Sequence, residues 1–186
     1  MSDLVGWSIW TAERFVAPLG RRWMHVQAVG RLASEIGPAF GNLEHVLTAS
    51  AYLHDIGYAE ELATTGFHPL DGARYLRAEG HELVARLVAH HSGARVEARL
   101  RGLEDFEMEF PFQASALDDA LTFCDLTTSP AGERVSIDDR VDEIAERYGV
   151  GSPRGRAMLH SLDDFHRARL ATLKHASEAG IRLKDC

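Results

Sequence analysis

The chain has 186 residues, which fits one domain and is long enough to bury a sizeable core. Hydrophobic residues make up 45% of the sequence and charged residues 26%, as in ordinary globular proteins. The net charge of −8 argues against a nucleic-acid polymer as the main partner, because binding to a phosphate backbone requires a basic surface. A small phosphate ester held by a few local cations remains compatible with this charge.

No stretch of the sequence predicts membrane insertion or export. The longest apolar runs are far shorter than a membrane span, and residues 1–4 lack the basic start of a signal peptide. The two cysteines, Cys124 and Cys186, do not make a disulfide framework. These features predict a cytoplasmic protein without a membrane partner, and they leave a homo-oligomer open.

Hydrophobic periodicity predicts helices along nearly the whole chain, whereas strand signals are weak. The sequence contains no internal repeat, linker or low-complexity tract. It therefore predicts one compact all-α domain over residues 1–186, with a core over about 21–130 and C-terminal helices over 136–180 that pack on it. Helices are predicted over residues 3–16, 21–36, 42–56, 68–80, 81–91 and 114–127. Two later helices are predicted, one capped by Ser136 and one that starts at Pro153.

A histidine and an aspartate stand side by side at the carboxyl end of the helix predicted over 42–56. Apolar and small residues surround His54 and Asp55, and Gly57 is the expected C-terminal cap of the helix. Burying two ionisable groups is costly unless a partner compensates them, and a metal ion is such a partner. The negative end of the helix dipole also favours a cation. The pair therefore predicts a buried metal site.

His25 and Asp125 are the outer members of the candidate set. Each lies on the apolar stripe of a predicted helix, where an imidazole or a carboxylate needs a partner. A lone His25 is more often a hydrogen-bonded core histidine than a ligand. Asp118 and Asp119 compete with Asp125, but they stand nearer the helix start, where an acid favours the dipole.

Three more histidines complete the candidate set. His68 stands just before Pro69 at a helix start, where its alternative role is to cap the helix. His90 and His91 end the next predicted helix and point about 100° apart, and periodicity favours His91 as the core-facing residue. Imidazole and carboxylate ligands suit iron, manganese, zinc, cobalt or nickel, and the missing thiolates argue against a closed structural zinc site.

The order of these residues resembles the HD superfamily of metal-dependent phosphohydrolases over roughly residues 21–130. The string over 54–57, His-Asp-Ile-Gly, is similar to the form found in HD-GYP and related cyclic-dinucleotide phosphodiesterases. His68-Pro69 and His90-His91 match that branch, in which extra histidines hold a second metal. The Gly-Tyr-Pro signature is absent, because residues 92–94 read Ser-Gly-Ala, and Tyr58 replaces the usual lysine. The resemblance therefore stops short of a cyclic di-GMP substrate.

The resemblance implies a helical bundle that holds one or two divalent transition-metal ions, such as iron or manganese. It implies hydrolysis of a small phosphoester, a nucleotide or a phosphorylated metabolite, by a hydroxide that bridges the metals. His54 and Asp55 would be catalytic, and Arg95 and Tyr58 are the expected substrate contacts. The implied first metal has the ligands His25, His54, Asp55 and Asp125, and the second has Asp55, His68 and one or both of His90 and His91.

Two other functions stay open at the level of sequence. Some HD-domain proteins with a similar histidine set are di-iron oxygenases, in which an additional histidine is expected close to the His-Asp motif. Tyr58 stands at that place, which favours hydrolysis. A degenerate HD domain that only binds a ligand is the third possibility, and the complete set of candidate ligands argues against it.

Overall fold

The computed structural model describes residues 3–183, and this part of the chain is all-α, which confirms the predicted fold class. It contains no strand, only an isolated antiparallel bridge between Thr128 and Arg134. No helix in the described range combines the length and the apolar character that crossing a bilayer requires. The helices are α1 (Leu4–Val16), α2 (Arg21–Ile36), α3 (Glu44–Leu53), α4 (His68–Ala78), α5 (Glu82–His90), α6 (Ala94–Leu100), α7 (Phe106–Glu109), α8 (Ala116–Leu126), α9 (Ile137–Tyr148), α10 (Pro153–His160) and α11 (Leu162–Glu178).

Helix α3 is the centre of the bundle. Its side chains from Val46 to Leu53 are buried except for a half-buried Tyr52, and it packs against α1, α2, α5 and α8. Each large aliphatic side chain removed from water contributes about 1.5–3 kcal/mol, so a helix that is apolar on nearly every side is stable only in such a position. The carboxyl end of α3 therefore lies deep inside the protein.

The end of α3 differs from the sequence-based expectation. The helix stops at Leu53 with His54 as its C-cap, and a short 3-10 turn follows over Ile56–Tyr58. The expected capping role of Gly57 is therefore wrong. The turn at Gly57 packs directly on α4, where a Cβ would lie 2.0 Å from the carbonyl oxygen of His68. Close packing between these two segments, rather than helix termination, requires the glycine.

The C-terminal helices cover one side of this core. Helix α11 packs along α8, and α10 packs on α9 and α6. Ser136 and Ser152 each cap the following helix by accepting a hydrogen bond from a backbone N–H of its first turn. A smaller apolar cluster, which includes Leu126, Ile144 and Met158, joins these helices to the end of α8. That cluster holds α9 against the end of α8, where Asp125 lies.

Candidate metal centre

Six of the seven predicted ligands form two adjacent groups inside the bundle. In each group, one potential ligand atom from every residue lies within 4.8 Å of the others. All six residues are at least 94% buried. The first group is His25, His54 and Asp125, and the second is Asp55, His68 and His91.

The carboxyl ends of three helices meet at these groups. His54 follows α3 directly, His91 follows α5 directly, and Asp125 is the last residue but one of α8. Each of these helix ends carries a partial negative charge from its backbone carbonyls, which favours a cation between them. His25 completes the first group from the buried face of α2.

His68 enters the second group from the start of α4. The connection that precedes it is anchored by the buried Asp71, whose carboxylate accepts hydrogen bonds from the hydroxyls of Thr64 and Thr65 at 2.8 and 2.9 Å. The backbone N–H of Thr65 also donates to Asp71 at 3.0 Å. These bonds fix the chain just before α4, and thereby the position of His68.

Backbone carbonyls orient the rings of His54 and His91. Nδ1 of His54 donates to the carbonyl of Ala51 at 2.7 Å, and Nδ1 of His91 donates to that of Val88 at 2.6 Å. In this tautomer the lone pair of Nε2 points into the site, as in metal-binding histidines. Nε2 of His54 is buried without a hydrogen-bond partner, which is costly unless a cation accepts its lone pair.

Several acceptor atoms face one another across the site. Nε2 of His68 and Nε2 of His91 are 3.3 Å apart, although Nδ1 of His91 already carries its ring proton. Nε2 of His25 lies 3.0 Å from Oδ1 of Asp125. Such pairs of acceptors attract one another only through a shared proton or a cation. The geometry and the chemistry of these residues therefore fit divalent metal ions.

Asp55 belongs to the second group and also lies close to the first. Its Oδ1 is 3.4 Å from Nε2 of His68, and its Oδ2 is 3.7 Å from Nε2 of His54. Nε2 of His54 is in turn 3.8 Å from Oδ1 of Asp125. One carboxylate is therefore close to ligands of both groups, which is the position that the family resemblance implies for a bridging residue.

The protonation states also suit metal ligands. Burial raises the pKa of both aspartates, but Arg22 and the neighbouring histidines outweigh it for Asp55 and hold its pKa well below the ordinary value. The close contact with His25 and the charges of the nearby histidines likewise hold the pKa of Asp125 well below its ordinary value. Burial lowers the pKa of His91 to about 4 and that of His68 well below its ordinary value. Ionised carboxylates and neutral imidazoles are the forms that bind a metal.

The seventh candidate, His90, lies outside both groups. Its Nε2 donates to the carbonyl of Phe110 at 2.7 Å, and its ring packs between Phe106 and Phe112 with centroid distances of 5.1 and 5.2 Å. These contacts hold His90 away from the second ligand group, to which His91 belongs. The structure therefore does not support His90 as a ligand.

The two expected substrate contacts lie in different places. Arg95 is paired with Glu107 at 3.2 Å and lies over the ring of Phe112, on the side of the molecule where His90 packs. Tyr58 is stacked on the imidazole of His68, with 3.9 Å between the ring centroids. The structure thus brings Tyr58 to the candidate centre but not Arg95.

Two polar residues that contact the centre were not predicted. Nη1 of Arg22 donates to Oδ2 of Asp55 at 2.6 Å, while its guanidinium lies 3.4 Å above the centroid of the Tyr58 ring. The hydroxyl of Ser92 donates to Oδ2 of Asp125. Arg22 precedes His25 by three residues and therefore shares a helix face with it, which was an available signal. Ser92 has a positive φ of 48°, and no local pattern in the sequence indicates its contact.

The comparisons with known proteins give one match. The sequence model of the HD-domain family matches residues 22–148. The match begins at Arg22, includes all six clustered residues and ends at Tyr148 in the last turn of α9. No curated protein and no solved structure matches the chain.

Proposed function

The chain belongs to the HD-domain superfamily of metal-dependent phosphohydrolases, and from this premise we propose that it hydrolyses a small phosphoester at the centre described above. The observation that carries the proposal is the adjacency of two buried ligand groups, with Asp55 of the second group close to ligands of both. Divalent metal ions bound there would lower the pKa of a water molecule and neutralise charge on the phosphoryl oxygens. In the overall reaction, the water oxygen bonds to phosphorus, the ester P–O bond breaks, and the proton passes to the leaving oxygen.

The protein's own residues hold this centre rigid. The carbonyls of Ala51 and Val88 fix the rings of His54 and His91, so little reorganisation accompanies ligand binding. Arg22 holds one oxygen of Asp55 and leaves the other near His68. Arginine matches the geometry of phosphate as well as that of a carboxylate, so Arg22 is also suited to contact the substrate.

Tyr58 closes one side of the centre. Its ring covers His68, and its hydroxyl lies 3.3 Å from the hydroxyl of Tyr148. Burial raises the pKa of Tyr58 above its ordinary value, so the phenol stays neutral and does not compete as an anionic ligand. We assign Tyr58 the role of limiting water access to His68.

The proposal is tested by measuring bound metal and phosphate release in the same preparations. Protein purified without added metal is analysed for metal content and assayed with a panel of phosphoesters, in air and without oxygen. We expect bound divalent metal and phosphate release that is independent of oxygen. Asp55→Ala should abolish release, and Asp163→Ala, which removes an exposed carboxylate on α11, should leave it unchanged.

Three outcomes would contradict the proposal. Bound iron with oxygen consumption and no phosphate release would identify an oxygenase instead. If neither metal nor turnover is found with any ester, the domain binds a ligand without catalysis. A proposal of hydrolysis also fails if Asp55→Ala and Asp163→Ala release phosphate at equal rates.

A further inference from the structure

A strongly cationic cavity lies directly beside the candidate metal centre. Its volume is about 250 Å³, and His25 of the first ligand group forms part of its wall. The other polar residues of the wall are four arginines and one glutamate, namely Arg21, Arg22, Arg140, Arg147 and Glu143. Four further cavities on the described part of the chain have no wall residue in either ligand group.

Two helices bring these arginines together. Arg21 and Arg22 are the first two residues of α2, one turn before His25. Arg140 and Arg147 are seven residues apart on α9 and therefore lie on the same helix face, with Glu143 between them. The packing of α9 against the end of α8 places this face opposite the start of α2.

The cavity has more positive than negative charge. Arg22 is paired with Asp55, and Glu143 pairs with both Arg140 and Arg147. The guanidinium of Arg21 makes no hydrogen bond or ion pair within residues 3–183. Three guanidinium groups thus share a single carboxylate, which leaves an excess of two positive charges.

Arg140 is the arginine whose burial costs most free energy when no anion is bound. The residue is only 7% exposed, and its Nε lacks a hydrogen-bond partner. A buried cation requires a compensating anion and a full set of acceptors, and Glu143 supplies only part of them. An anion with several oxygens would satisfy the remaining donors.

We propose that this cavity binds a second phosphate of the substrate, next to the phosphoryl group that is cleaved. This inference rests on the proposed function and specifies its substrate class as compounds with contiguous phosphates. Guanidinium groups bind phosphate oxygens in pairs of hydrogen bonds, and four of them converge here. Because Arg22 contacts Asp55 and also lines the cavity, one phosphate chain can extend from the metal centre into it.

The size of the cavity limits what it holds. Pockets that enclose a drug-sized ligand have volumes of roughly 300–1,000 Å³, and this cavity is smaller. It therefore suits the phosphates alone, and any nucleoside attached to them would lie outside the arginine cluster. The cavity therefore recognises the phosphate chain of the substrate.

The inference is tested by calorimetric titration of metal-free, chelator-treated protein with inorganic pyrophosphate and with orthophosphate. We expect tighter binding of pyrophosphate, weakened by added salt, because several charges act together. Arg21→Gln and Arg147→Gln change exposed or half-exposed side chains, so both proteins should fold. Each should weaken pyrophosphate binding by roughly tenfold or more, since each removes a charge-assisted hydrogen bond.

Arg99→Gln is the matched control, because Arg99 is an exposed arginine on α6 whose partner is Glu107, outside the cavity. It should bind pyrophosphate as the unchanged protein does. Equal binding of pyrophosphate and orthophosphate, or equal binding by all three variants, would overturn the inference. The titration measures binding without metal and without turnover. A failure to bind pyrophosphate would therefore not contradict phosphoester hydrolysis, and a lack of hydrolysis would not contradict pyrophosphate binding.

Discussion

The replacement Gly57→Ala tests how the turn after α3 positions the second ligand group. A Cβ at this residue would lie 2.0 Å from the carbonyl oxygen of His68 and 2.6 Å from the nitrogen of Gly72, both backbone atoms. Gly57 does not have a positive φ, so space rather than backbone strain excludes a side chain. The alanine must therefore push α4, and His68 with it, away from the turn that carries Asp55.

The size of the effect follows from these distances. Ordinary van der Waals contact begins at 3.4 Å, so the backbone must separate by 3.4 − 2.0 = 1.4 Å. Metal–ligand distances tolerate only about 0.2 Å, so His68 and Asp55 can no longer bind the same ion. Overpacking costs about 1–3 kcal/mol, and two backbone clashes place Gly57→Ala near the upper value. For a chain of this length we expect Tm to fall by about 6–12 °C.

Gly151→Ala is the matched control, since no heavy atom lies within 4 Å of a Cβ at that position and its φ is not positive. Thermal unfolding of the metal-free proteins by circular dichroism measures the stability effect, and elemental analysis measures bound metal. We expect Gly57→Ala to melt at a lower temperature and to hold less metal than Gly151→Ala. Equal melting temperatures together with equal metal content would refute the reasoning.

Two further predictions concern the buried histidines. Burial lowers the pKa of His90 and of His91 to about 4 and that of His68 well below its ordinary value, so between about pH 4 and 6.5 the unfolded chain binds more protons than the folded one. The free energy of unfolding of metal-free protein should therefore decrease on acidification through this window, by roughly 1 kcal/mol per pH unit for each histidine. Denaturant titrations at several pH values measure this free energy, and a value that does not change with pH would contradict the prediction. Elemental analysis should find the metal content of the unchanged protein in His90→Gln and a lower metal content in His91→Gln. Equal loss of metal in the two variants would contradict the assignment of His90 outside the metal centre.

The sequence by itself determined the helical elements and the buried candidates. The periodic apolar residues of α2 predict its limits, 21–36, and also the inward direction of His25. Burial of a polar residue on an apolar stripe depends on helix geometry alone, so Asp125 could be recognised in the same way. Six of the seven predicted ligands are among the residues that gather in the structure.

Tertiary structure alone decided which of these residues meet. His90 and His91 are neighbours in sequence, but the packing of α5 turns only His91 toward Asp55 and sends His90 to the carbonyl of Phe110. The close packing of Gly57 on α4 is likewise a tertiary contact, which no capping pattern reveals.

The arginines of the cavity also show which features follow from the sequence and which depend on tertiary structure. The sequence places Arg21 at a helix start and Arg140 and Arg147 on one helix face, as three charged side chains without a common role. They line one cavity only because α9 packs against the end of α8 and thereby faces the start of α2. Local interactions specify each helix, whereas the burial of apolar surface between distant helices determines which charged side chains come together.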